Sequence, residues 1–223
     1  MHQKINKRII SYFLLFVLFG TVTNINLNFS DIFSVKKIRI NGLDNKNNNK
    51  ILKNLDFLKS KNIFFLEKKK INKIINANNL VENYFVFKEY PSTLKIKILK
   101  TNILAYEIKK GKKYYIGSNG KYIDLELNNI KIPEIDGEFK IEEFISLKKK
   151  IDESDLEYQK IKKIYFFNSK RVDLELNNKV LLKLPKKNFI NALNISSKIL
   201  LDDNFKDSKI IDTRVINQVI ING

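Results

Sequence analysis

The chain has 223 residues, 42 Lys or Arg against 24 Asp or Glu, a formal charge of +18 and no cysteine. That length suits one large domain or two small ones behind a targeting segment, and the missing thiols exclude a disulfide framework, a Cys-ligated metal and a Cys nucleophile. Hydrophobic residues at 43%, with only 7 Gly and 3 Pro, can build packed cores and exclude a largely disordered chain.

Residues 1–8 are a short basic tail carrying Lys4, Lys7 and Arg8, and no charge follows from Ile9 through Ser30. At about 1.5 Å per residue, a helix over 9–27 extends roughly 28 Å, close to a bilayer core. Thr21-Val22-Thr23 is a poor substitute for an Ala-x-Ala cleavage site, so an uncleaved single transmembrane helix is expected rather than a signal peptide. Cations before the span, and none from Ile9 through Val35, predict a cytoplasmic N-terminus and external domains.

A first folded unit is expected over 33–101. Val35 to Ile40 reads as a half-buried strand ending at the Asn41-Gly42 turn. Asp44 to Lys50 reads as a polar loop, with Asn47 to Asn49 offering N-caps for a helix whose apolar positions are Ile51, Leu52, Leu55 and Leu58. Asn62 to Leu66 is an apolar connector, and Glu67 opens a second helix with Ile71, Ile74 and Ile75 on one face. Val81 to Glu89 is a strand, Tyr90-Pro91-Ser92 a turn, and Thr93 to Leu99 a strand of strict period two, with Leu94, Ile96 and Ile98 opposed to Lys95 and Lys97. The order is β-α-α-β-β.

A second unit is expected over 103–223. Ile103 to Tyr106 leads a strand, and Lys113 to Ile116 pairs with Tyr122 to Leu125 across Ser118-Asn119-Gly120. Ile141 to Ile151 is a helix with acids first and lysines last, as its dipole favours. Ile161–Phe167, Val172–Leu176 and Val180–Leu184 are strands, Asn188–Leu201 a helix, and Ile210–Val215 and Val219–Ile221 the last strands. The fold class is α+β: a single transmembrane helix, a β-α-α-β-β domain, and a mixed domain dominated by an antiparallel sheet.

Two stretches resemble known families. Val35-x-x-Ile38-x-Ile40-x-Gly42 and Tyr90-Pro91-Ser92-Thr93-Leu94-x-Ile96-x-Ile98 resemble a POTRA domain. Arg171-Val172-Asp173-Leu174, Asn177-Asn178-Lys179-Val180-x-Leu182-x-Leu184, the pair Lys186-Lys187 and Ile211-Asp212-Thr213-Arg214-Val215 resemble the C-terminal β-domain of the bacterial FtsQ/DivIB cell-division family. Val172 stands where that family often has Trp, Thr213 where it has Leu, and Val215 where it has an aromatic.

The resemblance implies a non-catalytic scaffold of the inner membrane at the division septum, with external domains that bind FtsB and FtsL and meet other septal membrane proteins. It implies a partner site at the C-terminal edge of the β-domain, with Lys186 and Arg214 meeting acidic groups and Val215, Val219 and Ile221 belonging to the terminal run. A POTRA-bearing envelope transport or secretion factor is the alternative, and would be favoured by further POTRA copies or a barrel.

Little in the chain suggests catalysis. His2 is the only histidine, and no Gly-rich phosphate loop is present. Glu142-Glu143 and Asp152-Glu153 read as solvated helix residues, and Asp124 and Glu126 as water-facing strand residues. Neither cofactor nor metal is expected. Nor is a nucleic-acid partner: Arg8, Arg39, Arg171 and Arg214 are the only arginines, whereas base and phosphate recognition favours Arg.

Overall fold

The structure is a computed structural model and describes residues 7–23, 29–124, 130–215 and 218–223. It opens with α1 (Lys7–Thr23), whose side chains stand exposed from Lys7 through Gly20. Among the described residues no helix is long and apolar enough to cross a membrane. The span expected over 9–27 runs on into residues 24–28, outside the described residues. A single helical turn, α2 (Phe29–Ile32), then leads into the first unit.

That unit contains β1 (Lys37–Asn41), α3 (Asn45–Asn54), α4 (Lys68–Asn76), β2 (Val81–Glu89) and β3 (Thr93–Lys100). Its sheet has the order β1-β3-β2, with β3 parallel to β1 and antiparallel to β2. The period-two pattern of β3 decides which side meets the helices: Leu94, Ile96 and Ile98 are buried with Ile51, Leu55, Ile71 and Ile75, while Lys97 is exposed. The stretch Asp44 to Lys50 is not the expected loop, for α3 begins at Asn45. Its cap is Asp44, whose carboxylate accepts the Asn47 N–H at 2.9 Å, and Asn48 Nδ2 donates to the Leu43 carbonyl at 2.7 Å. Capping and the burial of Ile51 and Leu55 outweigh the weak helix propensity of an Asn-rich turn. Gly42 follows β1 at φ +124°, and a Cβ there would lie 1.9 Å from the Ile98 carbonyl oxygen.

The second unit contains β4 (Ile103–Lys109), β5 (Lys112–Gly117), β6 (Tyr122–Ile123), β7 (Glu134–Gly137), α5 (Ile141–Asp152), β8 (Ile161–Phe166), β9 (Val172–Leu176), β10 (Leu181–Lys183), α6 (Phe189–Leu201), β11 (Ile210–Asp212) and β12 (Ile220–Asn222). They form one sheet, β12-β11-β10-β9-β8-β7-β4-β5-β6. The sheet is mixed: β4–β7, β7–β8 and β10–β11 run parallel and the other five pairings antiparallel. Phe144, Leu147 and Ile151 of α5 and Phe189, Ala192 and Leu193 of α6 share one core with Ile164, Leu174, Leu182 and Ile211.

Strand β7 has no counterpart in the sequence reading. Its single buried apolar residue, Ile135, shows no alternation, and the strand forms because β4 and β8 both pair with it. Of the last strands, β11 is shorter than expected, stopping at Asp212, and β12 is shifted by one residue, running Ile220–Asn222; residues 216–217 lie outside the described residues, as does the end of the strand expected to reach Leu125.

The two units meet through a small core of Leu80, Tyr115 and Ile123. Asn119 Nδ2 donates to the carbonyls of Asn79 and Val81 at 2.9 and 2.8 Å, and Asn79 Nδ2 donates to the Tyr122 carbonyl at 2.8 Å. The Asn119-Gly120 turn of the β5–β6 hairpin is therefore also the clasp between the units.

Candidate partner-binding edge

Strand β12 lies at one end of the large sheet. It pairs with β11 through Ile210↔Asn222, Ile211↔Ile221 and Asp212↔Ile220, and among the described residues no strand pairs with its other side. Such an edge presents a row of backbone donors and acceptors to a further strand. Val219 and Ile220 are exposed there, at 37% and 48%.

A row of charge crosses the sheet beside this edge. Asp173 on β9 pairs in register with Lys183 on β10, which pairs with Asp212 on β11. Arg214 closes the row: its Nε donates to both carboxylate oxygens of Asp212, at 2.8 and 3.0 Å, and its backbone N–H donates to Oδ1 at 3.1 Å. The hydrogen bond from Arg214 is the main cause holding the Asp212 carboxyl below its usual range, and Asp212 raises the guanidinium in turn. Asp173 is buried, and burial pushes its carboxyl up against the opposing pull of Arg171, 3.2 Å away, and of Arg214. Thr213 anchors the turn after β11, its N–H and hydroxyl both donating to the Lys183 carbonyl at 3.0 and 3.1 Å.

The sequence-derived residues divide between three places. Arg214, Val215 and Val219 line one cleft of about 290 Å³, together with Lys187 and Gln218. Lys186 lines a different cleft, of about 470 Å³, beside Phe166, Phe167, Val172 and Phe189. Ile221 sits within β12, opposite Ile211. Lys187, not Lys186, is thus the lysine sharing a cleft with Arg214. The pair Lys186-Lys187 was visible in the sequence, but the division follows from the turn into α6, where Asn188 adopts φ 56°. Arg214 is also committed to the local carboxylate of Asp212.

Of the acidic residues singled out in the sequence, Glu126 lies outside the described residues, and Glu143, Asp152 and Asp124 are tied to lysines. Glu143 accepts the Lys140 N–H and bonds Lys170 at 2.7 Å, Asp152 pairs with Lys148, and Asp124 pairs with Lys112 at 2.7 Å. Among the described residues no group of three His, Cys, Asp or Glu is placed to hold a metal ion.

Comparison with known proteins places both units. Residues 33–100 match the family model described as POTRA domain, FtsQ-type, and residues 105–214 match that of Cell division protein FtsQ/DivIB, C-terminal. A solved structure of the major extracytoplasmic domain of the trans isomer of the bacterial cell division protein DivIB from Geobacillus stearothermophilus is 14% identical, covering 45% of this chain and 92% of that one, with a TM-score of 0.35. No curated protein matches.

Proposed function

This chain belongs to the FtsQ/DivIB family of cell-division proteins, and from that premise we propose that it acts as a non-catalytic divisome scaffold, anchored in the inner membrane through α1 with both folded units outside. Its partners are FtsB- and FtsL-type membrane proteins at the septum, bound along β12. The observation that carries this reading is the position of β12: a terminal strand at the sheet edge, with exposed Val219 and Ile220 and the Arg214 guanidinium beside it. A partner segment adding to that edge gains backbone hydrogen bonds from the strand and side-chain contacts from the adjoining cleft.

The anchor reading is supported by an N-terminal helix that starts at Lys7-Arg8 and carries no further charge, followed by uncharged sequence through Ser30. A POTRA-bearing transport factor would not need an FtsQ/DivIB-type C-terminal domain, and that match weighs against it.

The test is hydrogen exchange on the detergent-solubilised chain with and without an FtsB–FtsL pair. Amides of Val219 to Asn222 should gain protection in the complex, and Val219→Pro, which removes a donor and fixes φ, should abolish capture. A complex that forms with no added protection over these residues places the site elsewhere.

A further inference from the structure

We propose that the end of the POTRA unit where the chain arrives from α1 docks on the headgroup layer of an anionic phospholipid bilayer, so that the unit is held against the membrane as well as tethered to it. The inference rests on α1 being the membrane anchor, and concerns a surface that partner binding at β12 does not use.

The surface starts with an apolar pair that packing does not explain. Ile63 is fully buried and its N–H donates to the Phe33 carbonyl at 2.8 Å, which fixes the turn Ile63–Phe65 against the incoming chain. That placement leaves Phe64 48% and Phe65 83% exposed. Phe64 stacks on Tyr90, itself 57% exposed, with ring centroids 5.1 Å apart. Aromatic rings gathered at one end of a domain and left in water are favoured at a membrane interface, where an apolar face and a wet rim are both met.

Cations surround the rings. Lys88 Nζ donates to the Phe64 carbonyl at 3.1 Å, and Lys68 and Lys69, exposed in the first turn of α4, have no ion pair among the described residues. Cations in a first turn oppose the helix dipole, so they are not there to stabilise α4. Lysines next to interfacial aromatics suit the negative surface of a bilayer.

Reach favours the same surface. Phe33 follows Thr23, the end of α1, by only ten positions, and its ring lies 5.2 Å from that of Phe64. A chain of that length spans at most about 35 Å when fully extended, so the tip stays close to the membrane that α1 enters.

Two experiments test the docking and keep it apart from the anchor. Among the described residues, both main cores are built from residues at or after Phe33, so residues 29–223 retain those cores without α1. This shortened chain should co-float with phosphatidylcholine vesicles that contain phosphatidylglycerol, and not with pure phosphatidylcholine. Phe65→Ser combined with Lys68→Glu and Lys69→Glu should weaken flotation about ten-fold or more, whereas Lys198→Glu with Lys206→Glu, two exposed cations of the β-domain, should leave it nearly unchanged. Equal losses in both variants, no flotation at all, or tighter capture of a single-stranded oligonucleotide through the same residues would overturn the proposal.

In the full chain, which has no tryptophan, Phe65→Trp supplies a single reporter. Its emission should shift to the blue and be quenched by brominated lipid in the anionic vesicles. A chain that resists alkaline extraction while this reporter stays unquenched refutes the docking alone. A chain that is extracted refutes the anchor alone, and flotation of residues 29–223 then still decides the docking.

Discussion

Arg214 has two jobs available, holding Asp212 and meeting a partner, and two neutralising substitutions distinguish them. Arg214→Gln removes both. Asp212→Asn removes the local pair and leaves the guanidinium for the partner. The side chains of Arg214 and Asp212 are 37% and 11% exposed, so solvent screens the pair and its contribution to the fold is only about 1 kcal/mol. Arg214→Gln also strands a largely buried carboxylate, but the backbone N–H of residue 214 remains 3.1 Å from it, keeping the total cost to about 1–2 kcal/mol. That is a minor part of the ~5–15 kcal/mol typical of a domain, so the variant should fold. If the charge meets an acidic partner group, binding should fall by about 2 kcal/mol, roughly thirty-fold. Asp212→Asn, which frees the guanidinium, should bind within about three-fold of the parent chain. Residues 29–223 would be titrated calorimetrically with an acidic FtsB-type peptide, with thermal melts as the folding control. Equal losses in the two variants would mean that Arg214 acts only by holding the end of β11. Unchanged affinity for folded Arg214→Gln would remove it from the site.

Other perturbations address the fold. Ile96→Asp places a charge at a fully buried position and should unfold the POTRA unit, while Lys97→Asp on the exposed face should shift the melting temperature little; similar melts would refute the register of β3. Gly42→Ala should cost about 3 kcal/mol in denaturant unfolding, because its Cβ would meet the Ile98 carbonyl oxygen at 1.9 Å; a cost below about 1 kcal/mol would refute the close approach. Asn119→Ala strands the carbonyls of Asn79 and Val81, and hydrogen exchange at the junction should quicken while the two cores stay protected. Asp212 is held below its usual carboxylate range chiefly by Arg214, so its contribution is complete above the unfolded value and fades as pH falls through the lowered folded one. The stability gap between the parent chain and Asp212→Asn should therefore be widest near neutral pH and close in strong acid, and a gap independent of pH would refute the pairing.

Local pattern made several features of this protein legible. Strict alternation over Thr93 to Leu99 assigns Leu94, Ile96 and Ile98 to one face whatever else the chain does, because side chains on a strand alternate sides. The spacing of Ile71, Ile74 and Ile75 marks a helix face for the same kind of geometric reason, whereas in α5 the spacing of Ile141, Phe144 and Ile145 marks the helix, and the structure buries Phe144 with Leu147 and Ile151. The cap of α3 was also present in the sequence, in Asp44, but the asparagines after it resembled a loop because their own helix propensity is weak.

What the sequence determined by itself was several apolar faces, the β-α-α-β-β order of the first unit and the motifs that indicate the family, all of which depend on neighbours within a few residues. Tertiary structure alone decided that β7 exists between β4 and β8, that Asn119 clasps two units, and that Lys187 rather than Lys186 joins Arg214. Each of these depends on a pairing, a turn or a side-chain distance that forms only when the sheets close. A short strand with one buried residue has no signature until its neighbours supply the hydrogen bonds, and a charged side chain has no partner until the fold brings one within reach.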